Sequence, residues 1–242
     1  MAETKTATVA AEATLTTVEN AKNFWDKYSK PILYVVGAVA VLTVAWYAYK
    51  NYVVEPQKIE ANEAFFAAEG LFAKMASTGF NKDSINIVMN GGEIDGQKVT
   101  GALKVISNFG STPAGDRAEY IAGACYLHLK EFDKAIKHLE AFDGNGATQV
   151  QSKAYIMLGH AYAEKKKNSE ALSNYKKAAS VNEKDDFFAP DALLMAAAFA
   201  ASTGDSKEAI SLYQQVKEKY PSNTAVISGD VDKNLARLGV LN

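Results

Sequence analysis

Ser152 to Ala178 reads SKAYIMLGHAYAEKKKNSEALSNYKKA, and its spacing of small and large residues decides the fold. With Ser152 as position 1, small residues stand at 8 (Gly159), 20 (Ala171) and 27 (Ala178), and large ones at 11 (Tyr162) and 24 (Tyr175). That spacing describes two helices joined by a tight turn. The small residues let the helices approach, and the large ones fill the space between them. The chain repeats the pattern: aligning Gly123 with Gly159 and Ala197 gives spacings of 36 and 38 residues. The first copy has Gly123, Tyr126, Phe132, Ala135, Ile136 and Leu139, but places Phe142 where the last small residue is expected. The third keeps Gly204, Ala209, Ile210, Tyr213 and Pro221, with Ala197 and Ala200 in place of the Gly and Tyr. Units that bury a core only by stacking on their neighbours build a solenoid.

This spacing resembles the tetratricopeptide repeat (TPR), and the second copy matches best, with Tyr155 at the aromatic position 4. The resemblance implies an all-α TPR-type α-solenoid with three repeats over residues 116–223. Residues 53–115 read as a linker and a divergent repeat, in which a helix from about Gln57 to Ser77 aligns Ala61, Phe65, Ala68, Phe72 and Met75. Its second helix is Thr100 to Phe109, stopped by Gly110. Between them, Thr78 to Val99 reads as loop with local helix: NGG and DG mark turns, and INIVM fits either a strand or a helical turn. Residues 224–242 close the stack with one capping helix, Ala225 to Leu238, carrying Val226, Val231, Leu235 and Leu238.

Upstream lies Pro31 to Tyr49, PILYVVGAVAVLTVAWYAY, 19 residues without a charge, closed by Lys30 and Lys50. At about 1.5 Å per residue it reaches roughly 28 Å, close to a bilayer core. Trp25, Tyr28 and Tyr34 at one end, and Trp46, Tyr47, Tyr49 and Tyr52 at the other, suit the two headgroup levels. Residues 31–52 are therefore read as a transmembrane helix. A cleaved signal peptide, cut after Ala45, is the rival, but about 30 polar residues precede the run, far more than an ordinary leader carries. Residues 1–30 read as a cytoplasmic tail, unstructured to residue 18, with a short juxtamembrane helix from about Val18 to Lys30. Lys22, Lys27 and Lys30 before the span, against Lys50 and Lys58 after it, favour a cytoplasmic N-terminus.

Residues 51–242 carry 21 bases and 24 acids, too even a balance to make a footprint for nucleic acid. The lone Cys125 has no partner for an intramolecular disulfide, and with His128 at i+3 it falls short of a zinc set or an activated nucleophile. Asp143-Gly144-Asn145-Gly146 faintly resembles a calcium loop, but Ala154 stands where the twelfth ligand belongs. Lys165-Lys166-Lys167 reads as a solvated turn. No phosphate loop or nucleophile elbow occurs, so the expectation is no enzyme, no cofactor, no metal and no small-molecule substrate.

In the repeat family, positions 2, 5, 9, 12 and 13 of each first helix line a concave surface. Carried over, they give Arg117, Tyr120, Ala124, Leu127 and His128; then Lys153, Ile156, His160, Ala163 and Glu164; then Asp191, Leu194, Ala198, Ala201 and Ser202. The Lys/Arg/Asn clamp that some chaperone-binding repeats close on a carboxylate is missing. The expected partner-binding groove is an apolar trough of Tyr120, Ala124, Leu127, His128, Ile156, His160, Ala163, Leu194 and Ala198, unless these residues pack against the chain's own helices. The whole layout resembles YfgM-like inner-membrane TPR proteins, ancillary subunits of the Sec translocon that work with a membrane-anchored peptidyl-prolyl isomerase and periplasmic chaperones. AEYIAGACYLHLKEFDKAIKHLEAF, residues 118–142, carries much of that likeness. It implies a chaperone-like adaptor with a periplasmic TPR domain, making protein-protein interactions with translocon subunits, the isomerase or exported chains. A scaffold for another cell-envelope assembly, in outer-membrane or cell-wall machinery, is the alternative.

Overall fold

A computed structural model describes residues 3–94 and 96–240, with the side chains of 3–18 and 21 excepted. The chain divides into two compact units, Met1–Pro56 and Gln57–Asn242.

The first unit is helical. Helix α1 covers Glu3–Tyr49 and is followed by a π-helical turn, Lys50–Val54. The tail expected to lack structure is thus helical from Glu3, Met1 and Ala2 lying outside the described residues, and the juxtamembrane stretch belongs to the same helix. Ala- and Glu-rich sequence extends a helix already nucleated by the apolar run without a new nucleation cost. An 18-residue window of mean hydropathy 1.9 lies in this segment with none of it buried. Leu42 and Val44 are each 69% exposed, so the protein's own atoms do not cover the run. The π turn stands just ahead of Pro56. Pro56 has no N–H to donate to a carbonyl four residues back, and its ring crowds that carbonyl, so a wider turn relieves both problems.

The second unit stacks helix pairs. Helices α5 (Pro113–His128) and α6 (Phe132–Ala141) form the first, α7 (Thr148–Glu164) and α8 (Asn168–Ser180) the second, α9 (Phe188–Ser202) and α10 (Ser206–Lys219) the third. The position-8 glycines explain the close approach. A Cβ on Gly123 would stand 2.5 Å from Leu139 Cγ, and one on Gly159 would stand 2.4 Å from Tyr175 Cε1. Each pair turns the corner through a left-handed residue at the same repeat position: Lys130 (φ 61°), Lys166 (φ 59°) and Gly204 (φ 88°). The N–H of the next residue then reaches back to a helix carbonyl, Glu131 to Tyr126, Lys167 to Tyr162 and Asp205 to Ala200. Within the second pair, the buried Ser152 hydroxyl of α7 donates to the Ala178 carbonyl of α8 at 2.9 Å.

Before the repeats, α2 (Glu55–Thr78) and α4 (Ala102–Phe109) flank an insertion. The stretch left open between strand and helix resolves as α3 (Lys82–Asn90), capped by Asn81, whose side chain accepts from Ser84 N at 2.8 Å. A hairpin follows, β1 (Gly92–Ile94) antiparallel to β2 (Gln97–Val99), with Gly92 opposite Val99. Phe65, Met75, Ile85, Val88, Val105 and Cys125 share one buried cluster, which ties this region to α5. At the far end the single capping helix is instead two, α11 (Thr224–Ile227) and α12 (Asp230–Arg237). Gly229, at φ 78°, separates them in a conformation that suits glycine. Val231 and Leu235 of α12 are buried in the cluster around Tyr213 and Val216.

Candidate functional site

The first helix of each pair, α5, α7 and α9, carries the concave positions, and the three copies differ in what happens to them. Over the first copy, the chain lays its own α2 and the segment after it. Arg117 grips Glu69 with two bonds, Nε to Oε1 at 2.5 Å and Nη2 to Oε2 at 3.2 Å, and Nη2 also donates to Asn62 Oδ1 at 3.0 Å. The Tyr120 ring meets Phe72 edge-on at 6.5 Å and lies 5.3 Å from Phe142. Burial pushes its phenol above the ordinary value. His128 stacks face to face on Phe80, 3.6 Å between centroids, and burial holds its imidazole below the usual value. Ala124 is 3% exposed, and Leu127 packs on the cluster of Ile136, Leu139 and Phe142. Of these expected groove positions, Ala124 is buried, Tyr120 is half-buried against Phe72 and Phe142, and His128 stays exposed on one side while stacked on Phe80. Phe72 and Phe80 were missed as trough residues because they sit outside the repeat pattern and meet it only in the fold.

The second and third copies stay open. Ile156 and Ala163 on α7 and Leu194 on α9 are half-buried, their inner sides packed on the cluster around Tyr175 and Leu193. His160 and Ala198 are exposed. His160 Nδ1 and Tyr175 Oη share a hydrogen bond of 2.9 Å. Burial lowers the His160 pKa, with Glu164 opposing, while burial and then Glu164 push the Tyr175 hydroxyl up to about 12. Helix α9 carries two further exposed apolar groups that the repeat positions did not single out: Met195, 41% exposed, and Phe187, 68% exposed at its entrance. Asp185 fixes that entrance by accepting from the N–H groups of Phe187 and Phe188 at 3.0 and 2.9 Å. Lys153 Nζ lies 5.6 Å over the Phe188 ring, so the rim carries a cation beside aromatic surface. Asp191, also on the rim, is held above the ordinary carboxylate value by burial.

Away from this surface, two clefts of about 490 and 590 Å³ open, one between α6, α7 and α8 and the other between α8, α9 and α10. Ser169, Ser173 and Lys177 border both. They arise where neighbouring second helices splay apart, which no motif announces.

The other candidates from the sequence have structural employment. Cys125 is buried and its thiol pushed up to about 12, which suppresses the reactive thiolate. The Asp143–Gly146 loop is tied by Asp116, whose carboxylate accepts from Asp143 N at 2.7 Å, Gly144 N at 3.2 Å and Asn145 Nδ2 at 2.9 Å. Lys165 pairs with Asp133, and Lys167 Nζ lies 5.7 Å over the Tyr162 ring. Among the described residues no group of three or more His, Cys, Asp or Glu converges to hold a metal. What the open strip offers is apolar surface with a mixed charged rim, the chemistry of a protein ligand.

A family model described as a tetratricopeptide repeat-like domain matches residues 22–228. No curated protein matches the chain. The match runs from ahead of the apolar stretch through the third stacked pair: the chain belongs to the tetratricopeptide repeat-like domain family, a protein-interaction fold.

Proposed function

We propose that this protein is a membrane-anchored adaptor of chaperone character serving the Sec translocon. Its N-terminus lies in the cytoplasm of a bacterium, its span in the inner membrane and its repeats in the periplasm. The open strip on α7 and α9 takes an apolar helical or unfolded segment, from an exported chain or from a partner such as a membrane-anchored peptidyl-prolyl isomerase. The observation that carries the binding role is the exposed apolar surface of Phe187, Met195 and Ala198 along α9, with Ile156 on α7 and Leu194 on α9 half-buried. The uncovered apolar run supports the anchor, and the likeness of the layout to YfgM-like proteins supports the translocon as the address. Purification of the full chain from membranes in mild detergent tests that address. Translocon subunits should co-purify in fixed proportion. Recovery of an outer-membrane or cell-wall assembly, with translocon subunits absent, would refute it.

A further inference from the structure

Helix α2 presents three faces, and one of them is unexplained by the fold. Ala61, Phe65, Ala68 and Met75 are buried. Asn62, Glu69 and Phe72 are turned to α5. The third face carries Ile59, Glu63, Phe66, Gly70 and Ala73, one stripe at helical steps of three, four and seven. Phe66 is 77% exposed and Ile59 59% exposed. One turn beyond Phe66, Gly70 has nothing within 4 Å of where a Cβ would stand. It answers no turn and no crowding inside the protein, yet glycine in mid-helix costs more chain entropy than alanine. A solvent-facing ring and a helical glycine beside it both break local rules on the same face. A second helix lying across that face would satisfy both: the ring gains cover, and the bare glycine lets the other backbone come close. Glu63 within the stripe and Glu60 at its edge are exposed and in no ion pair among the described residues, which makes the N-terminal half of the face acidic, while exposed Lys74 stands one turn past Gly70.

We infer that this face of α2 docks one amphipathic helix of a partner protein, apolar at heptad spacing and flanked by Lys or Arg. The acidic Glu60–Glu63 half of the face chooses the basic partner; the ring and the glycine set its distance. This surface is separate from the strip on α7 and α9 and stands whether or not the translocon is the address.

The test uses the full chain in nanodiscs of phosphatidylcholine, with empty discs as the blank. Two labelled synthetic helices of about three heptads share a Leu/Ala seam. One carries Lys at the flanks, the other Glu. Fluorescence anisotropy should show the Lys helix binding at least about tenfold more tightly than the Glu helix. Phe66→Ser and Gly70→Leu should each weaken it about tenfold or more, and Glu60→Lys with Glu63→Lys should reverse the preference. Gly70→Ala should raise the melting temperature of the free protein by about 1–4 °C while weakening the probe, which separates docking from folding. Equal binding of the two helices, or full affinity in Gly70→Leu, would overturn the inference. So would self-association of the chain that Phe66→Ser abolishes, which would make a second copy the occupant. Quenching of a Phe66→Trp variant by brominated lipid would overturn it in favour of the bilayer surface.

Discussion

His128 and His160 occupy the same repeat helices as the expected trough, yet each is held by the protein itself. His128 lies on Phe80 and His160 is bonded to Tyr175, and burial keeps both imidazoles below the ordinary value of 6.5. Their sign follows from linkage. The unfolded chain binds the proton more readily, so their contribution is fully present above about pH 6.5 and is lost as pH falls through the depressed folded values. Thermal melts from about pH 7.5 to pH 5 should therefore show falling stability, and His128→Phe, which keeps the stack and removes the proton, should flatten the fall. An unchanged slope in that variant would remove His128 from the account. The glycines of the repeat were readable because close helix approach leaves a fixed mark on sequence. The fate of His128 was not, because Phe80 comes from a loop residue 48 positions away that has no periodicity of its own.

At the level of elements, the packing of α7 on α8 turns on Gly159. Leucine there would drive into Tyr175, whose ring is also held by His160 and by Phe199 at 5.4 Å, so it has little freedom to retreat. Overpacking of this kind costs about 1–3 kcal/mol, and Gly159→Leu should lower the melting temperature by several degrees without changing the helical circular dichroism of what remains folded. A stable Gly159→Leu protein would contradict the tight pairing of α7 and α8. The helix pairs over residues 116–219 were legible from spacing alone, since the 3.6-residue period and the small–large alternation agree there. Residues 79–99 were not, because INIVM is too short for period to decide between strand and helix; only the Asn81 cap and the buried Ile85, Val88 and Met89 make it α3. The capping segment misled for a related reason. Its apolar spacing runs through Gly229, but the left-handed backbone there ends α11 and starts α12.

For the molecule as a whole, the N-terminal apolar helix and the three stacked pairs were present in the sequence, because each depends on local composition or on a repeat. Which part of the concave face stays open was not present there. It depends on α2 reaching Arg117 and Tyr120 from residues 62–72, a long-range pairing that no spacing encodes. In the proposed role the second and third repeats hold the partner, and Ala198 is the place to ask. It is exposed on α9, so a photo-crosslinking side chain fits without disturbing the core. Installed there in the full chain in living membranes, it should give adducts with translocon subunits or exported chains. The same group at Gln214, exposed on α10, should give none of them. Identical adducts from both positions, or adducts from Gln214 alone, would contradict the account.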